Sequence, residues 1–479
     1  MSLRKSALSG IFWTFIQQVS TQGISFIVSI ILARLLLPEE FGLIALLSVF
    51  MALGNVLINS GMSQSLIRTT NPTQEDYSTV FFFNMLISVF IYVLMFLLSP
   101  LIAKFYNEPI LIDIIRIYCL IFIINSLSVI QYTKLTKELN FRKQMIISIP
   151  SLILGSSVGI FMAFHGYGVW SLVWSGLIKS AALSMQLWLF TKWKPAFVFS
   201  KEKIKYHFNF GYKLSIAAII DSLFSDIYTI IIGKMYNPIY VGFYNRANTL
   251  KQYPTKNFTT VLNQVTFPLF SKIQDDNDQL KNAYKKIMQM AAFLIAPTLL
   301  IMAALAEPLF RFLLTEKWLP AVPYFQILCM GSLFNPISVY NLNIITVKGR
   351  SDLHLKLSIV KKIVLLIFIF GSIKWGIYGL LLAQIPLSVA GFFLNGWYSK
   401  QLINYSSLEQ LKDISLTIIL AFISGAIVWY IDNYLLKLFF NDIIRLLTGT
   451  FVGCLFYGAI SYLFKFEALI ELKSIVFKK

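Results

Sequence analysis

The chain has 479 residues, of which 57% are hydrophobic and 13% charged, with a mean hydropathy of +0.71 and a net charge of +19. A soluble protein would carry roughly 25% charged residues, and no hydrophilic stretch here is long enough for a separate soluble domain. The chain therefore reads as an all-α polytopic membrane protein, and its positive charge, gathered in alternate loops, argues against nucleic acid as a partner.

Apolar runs of about 20 residues, each long enough to cross a hydrocarbon core of about 30 Å, recur along the whole length. Fourteen spans are expected, at 10–36, 42–66, 78–102, 110–132, 144–165, 168–190, 211–233, 239–268, 286–307, 322–346, 356–375, 377–399, 411–431 and 443–464. The first follows a charged start like that of a signal peptide. It is too long for one, contains Gln17, Gln18 and Gln22, and lacks a small-residue cleavage site, so it reads as a retained span. Arg4 and Lys5, then Lys134 to Lys143, Lys192 to Lys213, Lys272 to Lys286, Lys348 to Lys362 and Lys473 to Lys479 mark one side. By the positive-inside rule both termini are expected in the cytoplasm. Cys119, Cys329 and Cys454 all fall in apolar runs without CxxC spacing and read as packing residues.

Two repeats organise the spans. "ARLLLPEEFG" and "GKMYNPIYVG" share their punctuation at one offset, since 238 − 38 and 242 − 42 both give 200. "FRKQ…GVWSLV" and "GRSD…GIYGLL" share another, since 350 − 142 and 376 − 168 both give 208. Spans 1–6 and 7–12 thus read as two copies of a six-helix unit, with two helices appended. The expected domains are a six-helix lobe at 1–190, a basic cytoplasmic linker at 191–210, a second lobe at 211–403, and two added helices with a tail at 404–479. Two such lobes facing a central cavity can rock to open it alternately to either side.

Polar side chains in lipid are expensive and mark cavities or helix contacts. Gln18 and Gln22 share a face of span 1 with Thr14, Thr21, Ser25 and Ser29; span 2 adds Asn55 and Asn59. Arg246, Tyr253, Asn257 and Gln264 fall along one stripe of span 8, with Lys256 beside them, and Lys179 lies inside span 6. These are the candidate substrate-binding residues. A mid-membrane charge costs at least about 2.5–3.5 kcal/mol, so Arg246 and Lys256 either snorkel, pair with Asp221 and Asp226, or hold an anion. Asp221 and Asp226 are candidates for coupling to H⁺ or Na⁺, with a plain salt bridge as the other reading. Arg34 and Lys234 end their spans and are candidate rim contacts, Lys251 points about 140° from the Arg246 stripe, and "NEP" at 107–109 reads as a turn.

No cofactor or metal is expected: His165, His207 and His354 are scattered, and no P-loop, GxSxG or HExxH occurs. Nor is an enzyme expected. An oligosaccharide polymerase or ligase would need a sizeable extracytoplasmic loop, and the loops on that side are short.

The segments "SGIFWTFIQQVSTQGISFIVSIILARLLLPEEFGLIAL", "GYGVWSLV" and "VGFYNRANTLKQYP" resemble the Wzx-type polysaccharide flippases, in the colanic-acid and teichuronic-acid exporter branch of the multidrug/oligosaccharidyl-lipid/polysaccharide exporter superfamily. The resemblance implies a two-lobed, fourteen-helix transporter. It would carry undecaprenyl-diphosphate-linked oligosaccharide units across the bacterial inner membrane, by alternating access coupled to an ion gradient. A polysaccharide polymerase and a chain-length regulator are the implied partners, beside the lipid-linked oligosaccharide and membrane lipid. Arg246 lies inside the YNRA match, whereas Asp221 and Asp226 match no motif. Two related transporters are the alternatives: a drug/cation antiporter, which would want an acidic cavity, and a peptidoglycan-precursor flippase.

Overall fold

The computed structural model describes residues 3–59 and 61–477, with side chains at 3–11, 257–265, 267–268, 336, 351 and 474–477 outside the described set. Among the described residues the expected spans fall on helices, some of them interrupted, as at 119, 127–128, 226 and 332–334, and no strand occurs. By length and apolarity eight helical stretches among the described residues can cross a bilayer, ten if each of two bent pairs counts as one span. The other expected spans fall on helices that carry polar groups at mid-length or break into short pieces.

Two compact units divide the chain, at 1–242 and 243–479. The first unit runs on past the expected linker at 191–210 to Gly242.

The first unit holds α1 (Leu3–Leu35), α2 (Pro38–Asn59), α3 (Met62–Arg68), α4 (Gln74–Tyr106), α5 (Leu111–Tyr118), α6 (Leu120–Ser126), α7 (Val129–Lys137), α8 (Phe141–Phe164), α9 (Trp170–Phe190), α10 (Lys201–Ser225) and α11 (Ile227–Met235). Its helix ends follow from local chemistry. Thr73 and Asp76 form a reciprocal capping box that starts α4, and Asn107 takes the left-handed conformation that ends it, so the "NEP" turn is a helix C-cap. Lys137 donates to the carbonyls of Leu66, Ile67 and Thr69 and closes the C-terminus of α3. Between α8 and α9, Gly155 and Gly159 face Lys179 and Ser175 with no room for a Cβ, the small-residue contact by which helices approach closely in lipid. A buried cluster of Met62, Leu66, Tyr77, Val80, Phe81, Ile130 and Trp193 joins α3, α4 and α7 to the segment after α9.

The second unit holds α12 (Pro238–Lys272) beyond its first turn, α13 (Asn277–Ala304), α14 (Ala306–Leu314), α15 (Val322–Gly331), α16 (Asn335–Val347), α17 (Ser351–Ser372), α18 (Gly376–Leu382), α19 (Gln384–Ile403), α20 (Ser407–Ile431), α21 (Lys437–Phe439), α22 (Asp442–Leu463) and α23 (Glu467–Phe477). A π turn at Asp432–Leu436 follows α20. Just inside it Asp432 accepts two bonds from Arg445 of α22, at 2.8 and 2.7 Å, and both side chains are buried. Arg445 also reaches Asp442, which meets Arg311 of α14. The appended helices are thereby fixed to the body of the unit. A second buried polar set, Asn341 with Gln410 and Ser399, joins α16, α19 and α20. Cys119 and Cys329 are buried as expected, while Cys454 is exposed on α22.

Candidate functional site

The offset-200 repeat becomes a contact. Pro38 and Pro238 each open a helix, where a missing N–H is harmless. One turn on, Gly42 lies against the Pro238 carbonyl and Gly242 against that of Pro38. A Cβ on either glycine would enter the other helix's backbone. The first turns of α2 and α12 therefore cross reciprocally, backbone on backbone, and the two glycines permit it. Beside the crossing, Gly233 of α11 meets Leu46 and Tyr106. Lys234 donates to the Phe105 carbonyl at 2.7 Å with its ammonium 4.6 Å from the Phe105 ring, so it caps α4. Arg34 is exposed at the end of α1.

In the same unit, α2, α3, α6, α7 and α9 line a cavity of about 440 Å³. Asn55 and Asn59 line it with Ser63, Asn125, Thr133 and Thr136. Each asparagine Nδ2 donates back to its own helix, to the carbonyls of Met51 and Asn55. Each side chain keeps an amide oxygen and a second N–H for a ligand. The lining is hydroxyls and amides on an apolar frame, matched to a hydroxyl-rich ligand. Gln18 and Gln22 are half-buried on α1, where the neighbouring Gln17 donates to Ser148 of α8 at 3.3 Å. Lys179 is exposed on α9, one turn before the cavity-lining Leu183.

The acidic pair straddles a bend. α10 and α11 meet at 46°, and Asp226 is the joint residue, half-buried, with Asp221 exposed on α10. In the second unit Arg246 is buried with its guanidinium 5.3 Å from the ring of the fully buried Trp318. Tyr253 is half-buried and Lys256 exposed. Lys251, expected to point away from the stripe, is buried on α12. The side chains of Asn257 and Gln264 lie outside the described residues. Of the expected cavity residues, the structure brings Asn55 and Asn59 into one chamber.

One polar cluster went unseen in the sequence. His207 of α10 places Nδ1 2.8 Å from Ser65 Oγ and Nε2 3.2 Å from Asp76 Oδ1. A neutral ring that donates from Nε2 to the carboxylate accepts the Ser65 hydroxyl at Nδ1. Lys203 adds an ion pair to Asp76 at 3.0 Å. All three of Ser65, His207 and Asp76 are buried, so the set clamps helices together and presents no exposed nucleophile. Beside it, the 191–200 segment is stitched to the start of α4. Trp193 Nε1 donates to Gln74 at 2.7 Å, and the amides of Ala196 and Ser200 donate to Ser78 and Thr79. These partners lie more than a hundred residues apart in sequence, and no local pattern announces them.

Residues 31–323 match the family described as "polysaccharide biosynthesis protein". The lipopolysaccharide biosynthesis protein WzxC of Escherichia coli is 25% identical over 401 residues, 82% of each chain. The teichuronic acid biosynthesis protein TuaB of Bacillus subtilis is 25% identical over 74% of this chain and 73% of its own. The succinoglycan biosynthesis transport protein ExoT of Rhizobium meliloti is 24% identical over 70% and 68%. Among solved structures, the lipid II flippase MurJ in an inward closed conformation shares the fold at a TM-score of 0.74 and 15% identity, over 95% of this chain and 98% of that one. An inward-facing multidrug resistance transporter of the MATE family gives 0.60 at 16%, over 80% and 95%.

Proposed function

Since the chain belongs to the polysaccharide biosynthesis protein family, we propose that it is a flippase. It moves undecaprenyl-diphosphate-linked oligosaccharide units across the bacterial inner membrane, with both termini in the cytoplasm. The observation that carries this reading is the chamber lined by Asn55, Asn59 and neighbouring hydroxyls in an otherwise apolar helical body. Relatives named for the biosynthesis of lipopolysaccharide and teichuronic acid, and for succinoglycan transport, support the cargo class.

In this reading the sugar hydroxyls bond to the amides of the chamber and the lipid tail stays in the bilayer. Arg246 offers the planar fork that suits a diphosphate. The exposed Lys179 of α9 is read as facing water, since a cation facing hydrocarbon would cost at least about 2.5–3.5 kcal/mol. Transport is by alternating access, and the Gly42–Gly242 crossing lies at the end of the helices that the loop charges place outside the cell. Asp226, at the bend between α10 and α11, is where H⁺ or Na⁺ binding would couple to a change in helix angle, with Asp221 five residues before it on α10. A polysaccharide polymerase and a chain-length regulator would take the product on the far side.

The test is depletion of the protein in its native cell, with mass spectrometry of undecaprenyl-linked species. One diphosphate-linked oligosaccharide should accumulate while its surface polymer disappears. An unchanged pool would overturn the assignment and favour a drug or cation antiporter of the same fold.

A further inference from the structure

A second cavity, of about 570 Å³, lies on the other side of α7 from the chamber. Gln131, Lys134, Leu135 and Glu138 line this one, whereas Tyr132, Thr133 and Thr136 line the chamber. At 100° per residue the two sets occupy opposite faces of the helix. The second cavity is therefore a separate compartment.

Its walls are basic. Lys134, Lys143, Lys192 and Lys194 face it against a single acid, Glu138. Neighbouring lysines are committed elsewhere, Lys137 to the end of α3 and Lys203 to Asp76. None of the four lining lysines makes an ion pair among the described residues. The wall that carries Lys192 and Lys194 is anchored to α4. Trp193 is anchored in the apolar cluster, and Gln74 uses both ends of its amide to hold the strand-like segment, accepting from Trp193 and donating to the Lys194 carbonyl at 2.6 Å.

Gln131 supplies the second observation. It is wholly buried, it lines the cavity, and neither its amide nitrogen nor its oxygen has a partner. A buried amide left so is costly, and a ligand that satisfies it must both accept and donate. A phosphate oxygen accepts from the N–H, and a hydroxyl donates to the carbonyl. The cavity also sits where α9 gives way from exposed Leu189 and Phe190 to lysines, the pattern of a headgroup boundary.

We infer that this cavity is a headgroup site for an anionic membrane phospholipid whose phosphodiester carries a hydroxylated headgroup, of the phosphoglycerol kind. Basic pockets at the cytoplasmic boundary of helical membrane proteins suit such headgroups. The lysines bind the phosphate, and Gln131, with Glu138 at the wall, reads the hydroxyls. The site is distinct from the path of the transported oligosaccharide.

The full-length protein in phosphatidylcholine nanodiscs, titrated with phosphatidylglycerol or phosphatidic acid and read by native mass spectrometry, tests the inference. Phosphatidylglycerol should be retained over phosphatidylcholine. The triple variant Lys134→Gln, Lys192→Gln, Lys194→Gln should lower that retention about 100-fold. Gln131→Leu, which keeps every charge, should still bind anionic lipid but lose the preference for phosphatidylglycerol over phosphatidic acid. Equal retention of phosphatidylcholine and phosphatidylglycerol would overturn the site. Displacement of the lipid by millimolar inorganic phosphate would overturn the lipid assignment and leave a free-phosphate site.

Discussion

Gly42 of α2 lies against the carbonyl of Pro238 on α12, with no space for a side chain between them. The mirror contact of Gly242 with Pro38 makes the crossing reciprocal. Gly42→Val forces a branched side chain into this backbone contact, and overpacking of that kind costs about 1–3 kcal/mol. Both Gly42→Val and Gly242→Val should lower the unfolding midpoint in detergent and reduce export. A variant that matched the parent in both would show that the helices do not pack closely here.

Arg246→Ala should abolish export of the surface polymer while insertion and expression stay at parental levels. Arg246→Lys, which keeps the charge without the fork, should recover part of the flux. The accumulated lipid-linked pool in each strain is the readout. Parental flux in Arg246→Ala would move the anion contact away from Trp318.

Asn55→Leu with Asn59→Leu removes two amides from the chamber without opening a void. Folding should be unchanged or slightly firmer, and export should fall at least about tenfold, the effect of leaving sugar hydroxyls unpaired at about 1.4 kcal/mol or more. Equal loss of stability and export would reveal a structural role instead.

Arg445→Ala strands the buried Asp432 carboxylate and should destabilise the protein by about 3–5 kcal/mol. Replacing both partners together, Arg445→Met with Asp432→Leu, should restore most of that loss. Chemical unfolding of the two variants separates a buried ion pair from one of little consequence.

His207→Leu leaves Ser65 and Asp76 without their bridge and should cost about 1–3 kcal/mol. The sensitive readout is local. Limited proteolysis after Lys201, Lys203 and Lys205 should quicken, because the start of α10 would lose its buried bonds to Ser65 of α3 and Asp76 of α4. Unaltered cleavage would mean that Lys203 and Trp193 suffice.

Much of this was legible in the chain itself. Helix identity followed from apolar runs, and the paired Pro and Gly at an offset of 200 pointed to equivalent helices that turned out to touch. Asn55 and Asn59 could be assigned to a cavity because an amide facing lipid is costly. What escaped was set by tertiary approach. His207 looked like a scattered histidine because Asp76 and Ser65 reach it across 131 and 142 residues of sequence. Asp432 sits one residue beyond an expected span and Arg445 two residues inside the next, so neither stands out in the sequence as a buried charge. The pairing came from a π turn that no periodicity reveals. The expected linker at 191–210 rested on the repeated segments, whereas the first compact unit runs on to Gly242, with α10 and α11 bonded to α3 and α4.

That clamping bears on how the protein is made. Synthesis proceeds from the N-terminus, and domains generally fold as units as they emerge. By the time the first turn of α12 leaves the ribosome, every residue of the first compact unit has been synthesised, including those of the chamber, the basic cavity and the glycine crossing. The nascent chain can therefore settle one half of itself before the other exists, and the insertion machinery need never shelter all the helices at once.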